Sequence, residues 1–339
     1  MPLSFGRDPW VRLRDRNDRV YSYLRLSLTD RCDLACVYCM PPGGEEDHSV
    51  RREMLDRDEV VRLVRVLARG GIRRVRLTGG EPLVRKDIVD IVGRVRRDAG
   101  IDEIVMTTNG TRLAELAKPL RDAGLAGVNV SIDSFDADTF RRVTRGGDLD
   151  QVLRGVEAAL AVGLSVKTNT VVLRGDNDHE LGDIVRRVWA WGATPRFIEL
   201  MPIGIGATIL DTKHVPVSEM IPSLALVVAG ARDFESGAGP ARYMTAIDGT
   251  KRRVGFITAL SENFCDSCNR IRVTSNGSIR ACLATRRSVS LRDAMRSGAS
   301  DAELLWAVHS ALSTKEASHH FEDATRVDHR EVGMSLVGG

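Results

Sequence analysis

Arg74-Val75-Arg76-Leu77-Thr78-Gly79-Gly80-Glu81-Pro82, followed by a helical pattern from Lys86 to Asp98, holds one complete strand, turn and helix. Alternating polar and apolar residues mark the strand. Two glycines let backbone approach a neighbour closely, and Pro82 suits the first turn of the next helix. Outward from this unit the pattern repeats. Tyr23 to Leu28, Ile104 to Thr107, Val128 to Ile132, Val166 to Val172 and Arg196 to Leu200 read as further strands. Arg57 to Ala68, which Asp56 can cap, Leu113 to Ala123, Gln151 to Val162 and Glu180 to Trp191 read as helices. Six such units predict an α/β protein with a parallel sheet. Six is short of the eight of a closed barrel, so a partial barrel open on one side is expected.

The polar positions of these strands carry the next inference. If helices cover the apolar face, then Arg25 and Ser27, Arg74, Arg76 and Thr78, Asn129 and Ser131, and Lys167 and Asn169 point into the barrel. Barrels ordinarily fill that space with Val, Ile and Leu. Inward cations in this number demand an anionic partner, and a polyphosphate ligand would supply it. The alternatives are a solvated edge, or pairing with an inward acid such as Asp133.

The six cysteines fall into two trios. Cys32-x3-Cys36-x2-Cys39 comes directly after the first strand; a loop offering three thiolates leaves one iron of a 4Fe-4S cube open to a small molecule. Structural zinc, the other reading, wants four ligands. Cys265-x2-Cys268-x13-Cys282 is the second trio, and the hairpin turn Ser275-Asn276-Gly277-Ser278 brings its last member back towards the first two. His309, His319 and His320 could complete a zinc site there, whereas His48, His179, His214 and His329 read as surface.

A net charge of +3 on 49 basic and 46 acidic side chains gives no argument for nucleic acid. The charged, unpatterned residues 1–20 contain no apolar run, so neither a secretory signal nor a membrane span is expected at the start, and a cytoplasmic location is expected, where clustered thiols bind metal. They read as a flexible lead-in, followed by the partial barrel over 21–225 and a second region over 226–339. Past Pro202 the pattern breaks into glycine-rich loops, Gly204 to Ala207 and Ser236 to Pro240, with strand-like pieces near Tyr243 to Ala246, Arg253 to Ile257 and Ile271 to Thr274.

Taken together, Leu26-Ser27 with Thr29-Asp30-Arg31-Cys32, Thr78-Gly79-Gly80-Glu81-Pro82-Leu83, Thr107-Thr108-Asn109-Gly110, Asn129-Val130-Ser131-Ile132-Asp133, Arg196-Phe197-Ile198-Glu199, Phe264-Cys265-x2-Cys268-Asn269-Arg270-x-Arg272 and the terminal Gly338-Gly339 resemble the GTP 3',8-cyclase family of molybdenum cofactor biosynthesis. That family lies within the radical S-adenosylmethionine (SAM) superfamily, and the resemblance runs from about residue 20 to the end. It implies a partial (β/α)6 TIM barrel of the radical SAM type with a C-terminal α+β extension, and two 4Fe-4S clusters, one on each trio. SAM would chelate the open iron of the first cluster and meet Tyr38, Gly80, Glu81, Ser131 and Met201. GTP would meet Arg25, Arg76, Thr107, Lys167, Arg270, Ile271 and Arg272, with Arg74 and Arg196 as further phosphate partners. The tail Gly338-Gly339 would enter the active site beside Arg25, Arg270 and Arg272, and with Arg25 serve catalysis.

The reaction so implied is a lyase step. Reductive cleavage of SAM gives methionine and a 5'-deoxyadenosyl radical, which takes hydrogen from C3' of GTP; C3' then joins C8 of guanine, giving 3',8-cyclo-7,8-dihydro-GTP. The partners implied are GTP, an electron donor and the next enzyme of the molybdopterin pathway, with no nucleic acid and no membrane; a homodimer is among the assemblies open to the chain. Another radical SAM enzyme with an auxiliary cluster, such as a peptide-modifying maturase, and a non-catalytic zinc protein are the competing readings. Two features depart from the family pattern: the first twenty residues exceed its core, and Ala207 to Val217 lacks an aromatic residue expected there.

Overall fold

A computed structural model describes residues 10–42, 51–234, 239–285, 287–321 and 333–337. Strands and helices alternate as β1 (Tyr23–Ser27), α1 (Arg57–Arg69), β2 (Arg74–Thr78), α2 (Ile88–Asp98), β3 (Glu103–Thr108), α3 (Leu113–Asp122), β4 (Gly127–Ser131), α4 (Ala137–Thr144), α5 (Leu149–Ala161), β5 (Ser165–Val172), α6 (Leu181–Ala190) and β6 (Thr194–Glu199). Beyond them come α7 (Ile205–Lys213), α8 (Val217–Ser223), β7 (Val228–Phe234), β8 (Arg242–Ala246), β9 (Arg253–Ile257), β10 (Arg270–Val273), β11 (Ser278–Arg280), β12 (Val289–Ser290), α9 (Leu291–Arg296), α10 (Asp301–Ser313) and α11 (Met334–Val337).

Apolar alternation decides which side of the sheet the helices take. Leu24, Leu26, Val75, Leu77, Ile104, Met106, Val128 and Val130 are buried in one core with Val60, Val64 and Leu67 of α1 and Ile91 and Val95 of α2. The other face is left to polar side chains. Helix α1 starts where the sequence predicts, in a capping box: Glu59 N donates to Asp56 Oδ1 at 2.8 Å and Asp56 N donates to Glu59 Oε2 at 2.9 Å. A cap of this kind contributes about 1 kcal/mol.

Among the described residues, twelve strands form one sheet, ordered β12-β11-β10-β1-β2-β3-β4-β5-β6-β9-β8-β7. Strands β1 to β6 pair in parallel as expected, and the later strands extend both edges: β9 lies parallel to β6, and β10 parallel to β1. The edges of a six-stranded sheet would otherwise present unpaired backbone groups. The result is the expected partial barrel, with a C-terminal α+β extension that flanks it on both sides.

Three sequence expectations need correction. Residues 10–20 are not a flexible lead-in: Leu13 and Tyr21 are fully buried, Asp15 is buried, and Leu13 N donates to Gly70 O at 2.8 Å. Leu13, between two arginines, packs this segment against the end of α1. Residues 1–9 lie outside the described residues. The Gly204 to Ala207 stretch opens α7 rather than forming a loop, with Gly204 as its cap; Ser236 to Pro240 falls largely outside the described residues. Finally, residue 225 marks no break in the sheet, since β7 to β9 continue it. Among the described residues, no helix is long and apolar enough to cross a membrane.

Candidate active site

The first trio sits in the loop after β1, held by the loops at the ends of the neighbouring strands. Asn109 Nδ2 and Thr111 Oγ1 each donate to the Asp33 carboxylate at 2.6 Å. On the other flank Val37 N donates to Val143 O at 2.9 Å, and Arg145 Nη1 reaches Met40 O at 2.7 Å. From below, Gly80 N donates to Thr29 O at 2.7 Å and Glu81 N to Arg31 O at 2.8 Å. A Cβ on Gly80 would stand 2.5 Å from the carbonyl carbon of Arg31 and closer still to its oxygen. The glycine is there because two backbones touch.

Cys32, Cys36 and Cys39 line a cavity of about 1030 Å³, counting its open mouth, together with Tyr38, Gly80, Glu81, Ser131 and Met201. Every residue assigned to SAM from the sequence is therefore brought to one place. Burial pushes the Cys32 thiol up to about 12, and burial with the nearby Asp133 carboxylate lifts Cys36 well above its usual value. Such thiols become thiolates when a metal takes the place of their protons. Tyr38 Oη donates to Asp133 Oδ2 at 2.8 Å and Val171 N to Asp133 Oδ1 at 2.9 Å. Asp133 is thus spent on the cysteine loop and β5. Glu81 is engaged by its own surroundings: it accepts from Leu83 N at 2.9 Å, Thr108 Oγ1 at 2.8 Å and Asn109 N at 2.6 Å. Burial raises it to about 7.

A second cavity, about 1180 Å³ including its mouth, holds the second trio and the cations together. Cys265, Cys268 and Cys282 line it with Arg25, Arg76, Arg196, Arg270, Arg272 and Thr107. The register explains the grouping, because Arg272, Arg25 and Arg76 are direct partners across β10, β1 and β2. Their mutual repulsion bears on their own proton affinities and on those of their neighbours. Burial, Arg272 and Arg76 drive Arg25 well below its ordinary value, while burial and Arg270 bring Arg272 down to about 10. Burial acts to raise the Tyr23 phenol, yet Arg76, Arg25 and Arg74 outweigh it and hold the phenol low. Burial likewise acts to raise Cys268, but Arg270 and Lys315 outweigh it and bring the thiol down to about 6. This pocket is built to receive negative charge.

Some expected substrate residues stand elsewhere. Arg74 pairs with Glu103 at 2.9 Å, two register positions further than Arg76 from the C-terminal ends of the strands, and does not line the cavity. Lys167 also does not line it; its ammonium lies 3.5 Å from Tyr243 Oη. Ile271 alternates to the opposite face and is buried in the apolar core. Of the three histidines considered for the second trio, His319 lines the cavity, whereas His309 packs near Trp306 and His320 pairs with Glu316 at 2.7 Å.

The two cavities share Thr107, Asn169, Ile198, Met201 and Met334 as lining residues. Ligands in the two would meet across that common wall. Gly338 and Gly339 lie outside the described residues, but Met334, four positions before Gly338, is on this wall. Sequence reasoning missed Met334, Arg19 and Lys315 as cavity residues. Each is a single residue in a run that reads as polar surface or tail, so no local pattern announced it.

The donor chemistry of each trio fits an iron-sulfur cluster: three thiols open onto one cavity. Among the described residues, no three His, Cys, Asp or Glu side chains are grouped so as to hold a single metal ion. A cubane offers a separate iron to each thiolate, so its sulfurs stand farther apart than those around one ion.

Residues 26–188 match the Radical SAM superfamily and residues 193–321 match Molybdenum Cofactor Synthesis C. A GTP 3',8-cyclase of Heliobacterium modesticaldum is 45% identical over 322 residues, covering 94% of this chain and 97% of the relative. The chain belongs to the GTP 3',8-cyclase family. A second member of that family, from Desulforamulus reducens, is 43% identical over 331 residues, covering 96% of this chain and 99% of its own length. The fold is also that of Streptococcus suis SuiB, whose crystal structure bound to S-adenosylmethionine superposes with a TM-score of 0.59 at 14% identity, covering 81% of this chain and 64% of SuiB. Within this radical SAM family frame the first trio falls in the Radical SAM match and the second in the Molybdenum Cofactor Synthesis C match.

Proposed function

We propose that this chain cyclises GTP to 3',8-cyclo-7,8-dihydro-GTP with SAM as the radical source, an early step of molybdenum cofactor biosynthesis. The observation that carries this reading is the lining of the second cavity by Arg25, Arg76, Arg196, Arg270, Arg272 and a thiol trio, sharing a wall with the cavity of the first trio. Two 4Fe-4S clusters, one per trio, would supply the electron that cleaves SAM and an open iron to anchor the substrate.

The chain's own residues do the rest. Arg25, Arg76, Arg196, Arg270 and Arg272 hold the triphosphate, and Tyr23 fixes Arg76 by accepting from its Nε at 2.6 Å. Arg196 is steered by Asn169 at 2.6 Å, while its buried Nε makes no hydrogen bond among the described residues. That donor suits a phosphate oxygen. On the other side Tyr38, Gly80, Ser131 and Met201 shape the SAM cavity. The common wall, which is half-buried, holds the reacting carbon centres close.

A binding comparison tests this. Charge-assisted hydrogen bonds contribute about 1.5 to 3 kcal/mol, so Arg76→Ala or Arg196→Ala should weaken GTP binding roughly tenfold to a hundredfold at about 1.4 kcal/mol per decade. Guanosine, measured by the same calorimetry, should lose much less, and SAM almost nothing. Equal losses for GTP and guanosine would remove the triphosphate role.

A further inference from the structure

Lys315 is 5% exposed, and among the described residues no carboxylate pairs with its ammonium. A buried ammonium without an anion is costly, so its surroundings must hold one. Its Nζ donates to Cys268 Sγ at 3.3 Å and lies 3.5 Å from Arg270 O, and the Tyr21 ring sits beneath it at 4.7 Å. Asp15, which the Tyr21 hydroxyl meets, is occupied: its Oδ2 accepts from both Tyr21 Oη and Arg19 Nε at 2.6 Å. Arg19 in turn clamps the segment carrying Lys315, donating to Cys265 O at 2.9 Å, Ala317 O at 2.7 Å and Glu316 O at 2.6 Å. The N-terminal segment, Lys315 and the second cysteine loop form one built unit, in which the ammonium faces the sulfur of Cys268.

We propose that Lys315 is a positioning residue of the second trio, a fixed positive charge hydrogen-bonded to Cys268 that sets how readily the cluster on that trio accepts an electron. This rests on the reading that the second trio carries a 4Fe-4S cluster. A positive charge and a hydrogen bond at a ligand sulfur both stabilise the reduced, more negative cluster and raise its reduction potential. The couple is a one-electron reduction, with dithionite as the electron source. Arg19, Asp15 and Tyr21 act through Lys315 by holding it in place.

The test uses the full-length, anaerobically reconstituted protein, with iron content and EPR-monitored dithionite titration as readouts; the first cluster is told apart by its response to SAM. Lys315→Met should make the second cluster at least about tenfold harder to reduce, which is about 59 mV for one electron, and leave the first cluster's potential in place. Lys315→Arg should restore most of that shift. Loss of second-site iron in Lys315→Met but not in Lys315→Arg also supports a charge role. An unchanged potential in Lys315→Met with iron intact overturns the proposal, as does equal loss of iron in both variants, which would make Lys315 a matter of shape. Wild-type protein that holds iron at the first trio alone overturns the second-cluster reading itself, and the proposal with it.

Discussion

Cys36→Ala abolishes SAM cleavage, whereas Cys268→Ala retains uncoupled cleavage to 5'-deoxyadenosine and forms no cyclised GTP. The separation is expected because the trios line different cavities: Cys36 stands with Tyr38, Gly80 and Ser131, and Cys268 with the guanidinium wall. Removing one of three thiolates leaves an iron without protein, so the loss at either site should be close to complete for the function that site serves. Chromatography of 5'-deoxyadenosine and of the cyclic product, run on both variants, reads the two functions independently. Normal GTP conversion by Cys268→Ala would take the second trio out of substrate binding; retained SAM cleavage by Cys36→Ala would take the first out of radical generation.

Gly80→Ala should lower SAM cleavage by at least about a hundredfold, since a displacement of about 1 Å at a reacting centre costs on that order. The added methyl would meet Arg31 backbone, which cannot rotate away, and would break the bonds that tie Gly80 N and Glu81 N to Thr29 O and Arg31 O just before Cys32. Glu81, which joins this turn to Thr108 and Asn109, would be dragged with it. Circular dichroism and GTP binding should stay near wild type, because the cation rows lie elsewhere on β1, β2 and β10. Gly182→Ala is the matched control: in helix α6 an added Cβ meets only the flexible end of Arg186 at 3.5 Å, and alanine is the better helix former. Wild-type SAM cleavage by Gly80→Ala would show that the turn does not set the cysteine loop.

Local chemistry made much of this legible. The Asp56 cap, the strand alternation and the Asn276-Gly277 turn are written in neighbouring residues, and Arg25 and Arg76 face inward as period-two alternation requires. Pairing across the chain was not legible. That β9 and β10 extend opposite edges of the barrel depends on contacts between residues far apart in sequence, and it is this that brings Arg270 and Arg272 beside Arg25. Alternation also gives a face but not a depth: Arg74 shares its face with Arg76, yet stands two register positions away and meets Glu103. Leu13 and Lys315 are single residues in charged or polar runs, and only the fold reveals that both are buried.

The most direct measurement is transfer of deuterium from GTP labelled at C3', incubated with SAM and the reduced, reconstituted protein. If SAM and GTP meet across the wall formed by Thr107, Asn169, Ile198, Met201 and Met334, the 5'-deoxyadenosine formed carries that deuterium in step with the appearance of the cyclic product. Unlabelled 5'-deoxyadenosine alongside the cyclic product, or none of that product at all, would contradict it.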